Sequence, residues 1–208
     1  AGLIVSHRRQ STVDGRELRA SLFDVTGRWA KRLGDAELTL EAEAALTLGT
    51  TTLGASREIP ELDVLQLGAA LRASFAYDTL GAVLDVLYTS GEPNTYDDQA
   101  TGFRTDPNFE TGLLLFRYVQ AAHTGRGYGR ATDPQLVGAP AAGIERWPTR
   151  GGLTNALVFF PRVWALLPFG PEVYGGVLVA LAPETNIDPF NTSLAGGARR
   201  NALDLAAG

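Results

Sequence analysis

The 208-residue chain contains no cysteine, no methionine and no long apolar run. The lack of cysteine excludes a disulfide framework and thiolate metal sites. Because even residue 1 is not methionine, we expect that a signal peptide has been removed or that the residues are internal to a longer chain. No stretch approaches the roughly 20 apolar residues of a membrane helix. A transmembrane barrel escapes such a scan, because its apolar residues occupy every second position.

An excess of positive charge is also missing, since the formal net charge is −5. A nucleic-acid-binding protein normally carries a basic face, so the charge argues against that class. The balance of charged and hydrophobic residues is that of a folded chain and not of a disordered one.

What the sequence does contain is apolar residues at every second position over long segments. From Ala36 to Thr50, leucine and alanine occupy one parity, while glutamate and threonine dominate the other. The segment Val64 to Tyr77 repeats the pattern, and Phe23 to Trp29 and Gly81 to Ser90 are similar. A period of two predicts β-strands, and the first two segments are longer than the usual globular strand of about 5–6 residues.

The connections between these segments alternate between short and long. Gly34-Asp35, Asp78-Thr79 and Pro168–Pro171 are predicted turns. The predicted long loops are 51–63, 91–110, 118–152 and 183–199. Short turns at one end of a sheet and long loops at the other are typical of an outer-membrane barrel, with the turns in the periplasm. We therefore predict an all-β fold: an antiparallel up-and-down transmembrane β-barrel, with residues 1–208 as one incomplete domain of a larger barrel.

A soluble β-sandwich also alternates, and it remains an alternative to the barrel. Three observations favour the membrane. The apolar parity is uninterrupted from Leu38 to Leu48, and the opposite parity carries charges that a dry sandwich core could not accept unpaired. Aromatic residues also lie near strand ends, where interfacial girdles would sit. These are Trp29, Tyr77, Tyr88, Trp164 and Tyr174.

One segment also resembles a known family. The residues that carry the resemblance are Leu87-Tyr88-Thr89-Ser90-Gly91-Glu92-Pro93-Asn94-Thr95-Tyr96-Asp97-Asp98, followed by Thr101-Gly102-Phe103. They resemble a strand-to-loop segment of alginate-export-type outer-membrane porins, in which a strand ends in a small residue and glycine, then an acidic loop, then an aromatic residue. The resemblance lies mainly in residues 1–110. It implies a porin-like channel in the bacterial outer membrane, and a barrel larger than this chain.

Charged residues on the polar parity are the candidate functional residues. Carboxylate rings select cations in channels, so the glutamates of the Ala36 segment predict a cation-attracting lumen wall, with ordinary water-facing polarity as the alternative. The lumen candidates are Glu37, Glu41, Glu43, Arg28, Arg72 and Asp85, and the two arginines are expected to pair with the glutamates. The glycine- and proline-rich 118–152 segment could fold inward and narrow the pore. Its constriction candidates are Arg126, Arg130, Arg146 and Arg150, with a solvated surface loop as the alternative.

Other constellations carry less chemistry. Asp97 and Asp98, with Glu92, offer oxygen ligands for Ca²⁺, but their spacing matches no EF-hand and favours a solvated acidic loop. His7 with Ser6 or Ser21 has no nucleophile-elbow context, so we expect an ordinary histidine.

The sequence thus predicts a porin without catalytic residues, metal or cofactor. It would pass small hydrophilic solutes or polysaccharide passively. Its expected surroundings are outer-membrane lipid and lipopolysaccharide, with other envelope subunits or copies of itself as further partners and no nucleic acid. The alternative within the membrane is a structural barrel that anchors or surrounds a larger envelope assembly.

Overall fold

The computed structural model describes residues 1–53, 57–94, 97–106, 109, 112, 152–184 and 206–207. The regular structure of these residues is a single nine-stranded β-sheet. The strands are β1 (Gly2–Ser11), β2 (Glu17–Leu33), β3 (Ala36–Thr51), β4 (Leu62–Tyr77), β5 (Leu80–Thr89), β6 (Gln99–Ala100), β7 (Ala156–Leu166), β8 (Glu172–Leu181) and β9 (Ala206–Ala207). No helix in this part of the chain is long and apolar enough to cross a membrane.

The sheet is an antiparallel meander in the order β1-β2-β3-β4-β5-β7-β8-β9, and β6 pairs with β4 as a parallel strand. The predicted all-β antiparallel fold is therefore confirmed. Within the described residues the sheet is open, with β1 and β9 at its two edges.

The three tight turns at one end of the sheet are confirmed. Gly34 and Asp78 each have a positive φ, of 66° and 50°, which lets the chain reverse over two residues between paired strands. In the third turn the amide of Leu167 donates to the carbonyl of Pro171 at 3.0 Å. Connections at the opposite end are longer where they follow β3, β5 and β8.

Strands β2, β3 and β4 contain 17, 16 and 16 residues and pair along their lengths. At about 3.3 Å per residue each is about 50 Å long. Leu46 lies opposite Leu67, and the next pair, Thr47 and Gln66, lies on the other side of the sheet. We call the first side the apolar face and the second the polar face. The predicted alternation is confirmed on both strands.

The apolar face is exposed. Leu67 is 41% exposed, Phe75 44% and Val163 64%. The side chains of this face would be the buried ones in a soluble protein, whose surface is ordinarily depleted in such continuous apolar patches. In the described part of the chain, large apolar side chains are therefore exposed where a soluble protein would bury them; we call this the inverted distribution of burial.

The buried hydrophobic cluster lies instead on the polar face, at the long-connection end of β5, β7 and β8. Leu87, Val158 and Leu178 are nearly inaccessible, and Phe160 joins them. Leu153, which precedes β7, is fully buried against the same strands. The sequence analysis named only charged lumen candidates on this face, and the structure shows that the face also carries buried apolar side chains on β5, β7 and β8, against which Leu153 packs.

The chain after β5 folds back toward the polar face. The hydroxyl of Ser90 accepts from the amides of Leu67 and Phe103 and donates to the carbonyl of Thr101 at 2.6 Å. The ring of Phe103 lies on Gly68, so close that a Cβ there would be 2.3 Å from it. The predicted 91–110 loop is therefore an ordered segment over its described residues.

Candidate functional site: a row of alternating charges

Charged side chains of opposite sign face one another across the middle of the polar face. Arg28 lies opposite Glu41, Glu41 opposite Arg72, and Arg72 opposite Asp85, on β2, β3, β4 and β5 in turn. Directly opposed residues of an antiparallel pair share one side of the sheet, so the four side chains form a continuous row. We refer to these four residues, with Arg162 of β7, as the charge row.

Asp85 is the centre of this row. The Nε atom of Arg72 donates to Asp85 Oδ1 at 2.6 Å, and its Nη2 atom donates to Oδ2 at 3.3 Å. Nη2 of Arg162 also donates to Oδ2. At the other end of the row, Nε of Arg28 lies 3.2 Å from Glu41 Oε1. The predicted pairing of arginine with glutamate is confirmed for Arg28, whereas Arg72 makes its hydrogen bonds to Asp85.

Arg162 was not identified from the sequence. Its guanidinium carbon lies 4.7 Å from the centre of the Phe160 ring, which is within the range of a cation–π contact. Its Nε atom is buried and has no hydrogen-bond partner in the described part of the protein. Arg162 therefore contacts both the Phe160 ring and the Asp85 carboxylate.

The two other predicted lumen glutamates lie on the polar face beside the row. Glu37 is opposite Arg32 and Ala76, and Glu43 is opposite Thr26 and Ala70. Glu43 forms no ion pair with another described residue.

Two clefts adjoin the charge row. One, of about 230 Å³, is lined by Glu41, Glu43 and Asp85, with Phe109 at its border. The other, of about 570 Å³, extends from Arg72 and Asp85 toward the short-turn end, with Gly112 at its border. Phe109 and Gly112 follow the segment anchored by Ser90, and their positions show that this connection reaches the middle of the polar face.

The predicted acidic loop is held by backbone contacts. Glu92 is only 5% exposed, and its carboxylate accepts from the amides of Thr101 at 2.8 Å and Asn94 at 3.4 Å. Burial raises the pKa of Glu92 above its ordinary value, and these hydrogen bonds oppose the rise. Asp97 accepts from the amide of Gln99, and the main chain of Asp98 pairs with Asp63. Over the described residues, no three acidic or histidine side chains are placed to share a metal ion.

His7 and Ser21 do meet, on the same side of the sheet as the apolar residues. His7 of β1 and Ser21 of β2 are direct cross-strand partners, and His7 Nδ1 lies 3.0 Å from Ser21 Oγ. This is the one hydrogen bond of His7 in the described structure, so no carboxylate there orients the ring as a catalytic base would require.

The constriction candidates Arg126, Arg130, Arg146 and Arg150 lie outside the described residues, as does the predicted 118–152 loop. Comparisons of the chain with protein-family models, with curated proteins and with solved structures found no match.

Proposed function

We propose that the protein forms part of the wall of an outer-membrane β-barrel and lets small hydrophilic solutes cross passively. The observation that carries the proposal is the inverted distribution of burial. Leu67, Phe75 and Val163 are exposed on one face, while the charge row and the buried hydrophobic cluster lie on the other. Lipid solvates the apolar face favourably. In water, each Å² of this face that stayed exposed would forgo about 25 cal/mol of stabilisation relative to burial.

The strand lengths and connections support the same proposal. A transmembrane strand needs about 9–11 residues, and β5, β7 and β8, with 10, 11 and 10, match that length. Strands β2 to β4 exceed it and would extend beyond the hydrocarbon layer. The short turns would face the periplasm and the long connections the outside. The resemblance of the 87–103 segment to alginate-export-type porins is consistent with this orientation.

The charge row would line the lumen. Its five members carry three positive and two negative charges, and Glu37 and Glu43 add two negative charges beside it. We infer a channel wall with both signs of charge and a small excess of negative charge on β3. The connection that carries Phe109 and Gly112 would narrow the pore. The arginines of 118–152 would add positive charge if that segment also entered the lumen.

A structural barrel is the second candidate, and one observation favours it. The apolar cluster of Leu153, Leu87, Val158 and Leu178 fills part of the polar face and excludes water there. A lumen filled in this way all around would anchor or surround an assembly without conducting.

Membrane fractionation and planar-bilayer conductance of the full-length protein test these alternatives. The channel proposal requires recovery in the outer membrane and discrete conductance steps. Outer-membrane recovery without conductance would support the structural barrel. Recovery in the soluble fraction would refute both and favour a β-sandwich module.

Deletion of residues 126–145 tests the role of the long loop within the channel proposal. If this loop lines the constriction, its removal should raise conductance and shift ion selectivity toward cations, because Arg126 and Arg130 are lost. Unchanged conductance and selectivity would place the loop outside the pore.

A further inference from the structure

The larger cleft beside the charge row combines aromatic and hydrogen-bonding side chains. It has a volume of about 570 Å³ and lies on the polar face toward the short-turn end. Trp164 of β7 and Tyr174 of β8 are direct cross-strand partners and both line it. Its size is that of a small-molecule site, for which about 300–1,000 Å³ is typical.

The two aromatic residues face inward. Trp164 lies opposite Gly81, which shares the polar face with Ala76, Ser74 and Arg72. The sequence placed Trp164 and Tyr174 with the outward interfacial girdle, and the register shows that this assignment is wrong for both. Trp29, Tyr77 and Tyr88, by contrast, do share the apolar face.

Trp164 packs against a glycine. A Cβ at Gly81 would lie 2.3 Å from Cε2, one of the two atoms shared by the indole rings, and slightly farther from its neighbours Cζ2 and Nε1. The indole therefore occupies the space that a side chain at position 81 would need. Tyr174, its neighbour in the cleft, is 51% exposed.

The formal charges of the residues that line the cleft sum to zero. Arg72 and Arg162 contribute two positive charges, and Asp85 and Glu172 two negative charges. Asp85 is shared by both guanidinium groups, while Arg72 remains half exposed and keeps donors for a ligand. Glu172 and the hydroxyls of Ser74 and Tyr174 supply acceptors. The cleft therefore offers many hydrogen bonds without a net charge that would select an ion.

We propose that this cleft binds an uncharged sugar, whose ring stacks on Trp164 and Tyr174 while its hydroxyls bond to Arg72 and Glu172. The negative faces of the aromatic rings attract the polarised C–H bonds of a pyranose. Paired donors and acceptors match a polyol, whose hydroxyls both donate and accept. The inference depends on the proposed channel function for its biological meaning, because it names the solute class that the channel would pass.

Fluorescence of Trp164 tests the binding directly. The chain has three tryptophans, so the Trp29→Phe, Trp147→Phe protein retains Trp164 as the only reporter. We expect saturable quenching by glucose or cellobiose in detergent solution. Glucuronate and glucosamine, which add a negative or a positive charge, should bind about tenfold more weakly, because a cleft without net charge does not offset the desolvation of a charged sugar. Absence of saturation by the neutral sugars, or tighter binding of either charged one, would overturn the proposal.

Matched tyrosines locate the site. Tyr174→Ala in the same background should weaken cellobiose binding about tenfold through loss of stacking, and Tyr174→Phe should retain most of it. Tyr77→Ala is the control, because Tyr77 is also 51% exposed but lies on the apolar face. Equal effects of the two alanine variants would place the sugar elsewhere and contradict the proposal.

Binding and conduction separate the two proposals. Saturable binding by a protein that conducts no current would refute the channel and keep the sugar site. Conductance with no saturable binding would refute the sugar site and keep the channel.

Discussion

Replacing Asp85 with asparagine should destabilise the sheet, because one carboxylate holds two arginines. The amide side chain would keep the shape and one acceptor oxygen but would leave Arg72 and Arg162 as neighbouring cations with no shared anion. Three N–H donations reach this carboxylate, two from Arg72 and one from Arg162. The substitution therefore changes charge with little change in volume.

The magnitude follows from the number of contacts and from their exposure. A hydrogen bond to a charged group contributes about 1.5–3 kcal/mol when it is buried. The side chain of Asp85 is 21% exposed, that of Arg162 28% and that of Arg72 52%, so water replaces part of the loss at Arg72. Exposed pairs contribute about 0.2–1 kcal/mol. We expect Asp85→Asn to lower the free energy of unfolding by about 2 kcal/mol, mostly through Arg162.

Urea titration of the protein in phospholipid vesicles, followed by tryptophan fluorescence, measures this free energy. Glu43→Gln is the matched control: it also removes one carboxylate from the polar face, but from a residue without an ion pair in the described structure. The control should change the free energy by less than about 0.5 kcal/mol. If both variants fall within that limit, the charge row contributes nothing measurable and the reasoning from its geometry is refuted.

Three further variants test the faces and the connection after β5. Leu67→Arg should cost about 2–4 kcal/mol near the bilayer midplane, whereas Gln66→Arg on the polar face should cost less than about 0.5 kcal/mol, and the reverse order in a vesicle titration would mean that the faces are assigned the wrong way round. Gly68→Leu should release the folded-back segment, because its side chain would overlap an aromatic ring, and should speed tryptic cleavage there. Gly27→Ala has nothing within 4 Å of the added Cβ and should leave digestion unchanged, so identical digestion of both would count against the contact. The raised pKa of Glu92 means that the folded loop favours the protonated carboxyl group. Its contribution to stability is therefore complete below the ordinary carboxyl pKa, and it is lost as the pH rises through the raised pKa. Hydrogen exchange of the amides bonded to the carboxylate should show this fall in the native protein and not in Glu92→Gln, and the same profile in both would exclude Glu92 as its cause.

The strands could be predicted from the sequence because successive side chains of a strand point to opposite faces of the sheet, which here differ in polarity. Leucine or alanine at every second position between Ala36 and Thr51 is enough to define β3, and the structure alters its predicted end by one residue. The turns were also predictable, because Gly34 and Asp78 tolerate positive φ where most residues do not. These are local properties that do not depend on the rest of the sheet.

The folded-back connection could not be predicted in the same way. The contacts of Ser90 with Leu67 and Phe103 join residues that are distant in sequence, and no periodicity marks them. For the same reason the buried cluster was missed. Val158 and Leu178 are apolar residues on the polar face, and whether a face is buried depends on what covers it; Leu153 lies outside any alternating strand.

The candidate site was predicted only in part, because Arg28 was expected to pair with a glutamate, whereas the pairing of Arg72 with Asp85 was not expected. Short turns between β2 and β3 and between β4 and β5 place Arg28 opposite Glu41 and Arg72 opposite Asp85. No short turn joins β5 to β7, so no local pattern could place Arg162 beside Asp85. Its position between Phe160 and Trp164, all of one parity, was the only available signal.

The charge row also acts as a check on strand alignment during assembly. A displacement of β5 by two residues along β4 keeps every side chain on its face, yet it would put Leu87 or Val83 opposite Arg72 in place of Asp85. The native pairing is the only one of these three that joins opposite charges, and the two-residue turn at Asp78 favours the same pairing. The pairing of β3 with β4 distinguishes less well between alignments, because Glu41 and Glu43 are two residues apart and either could face Arg72. The charges and the turn therefore favour the same alignment of β4 and β5.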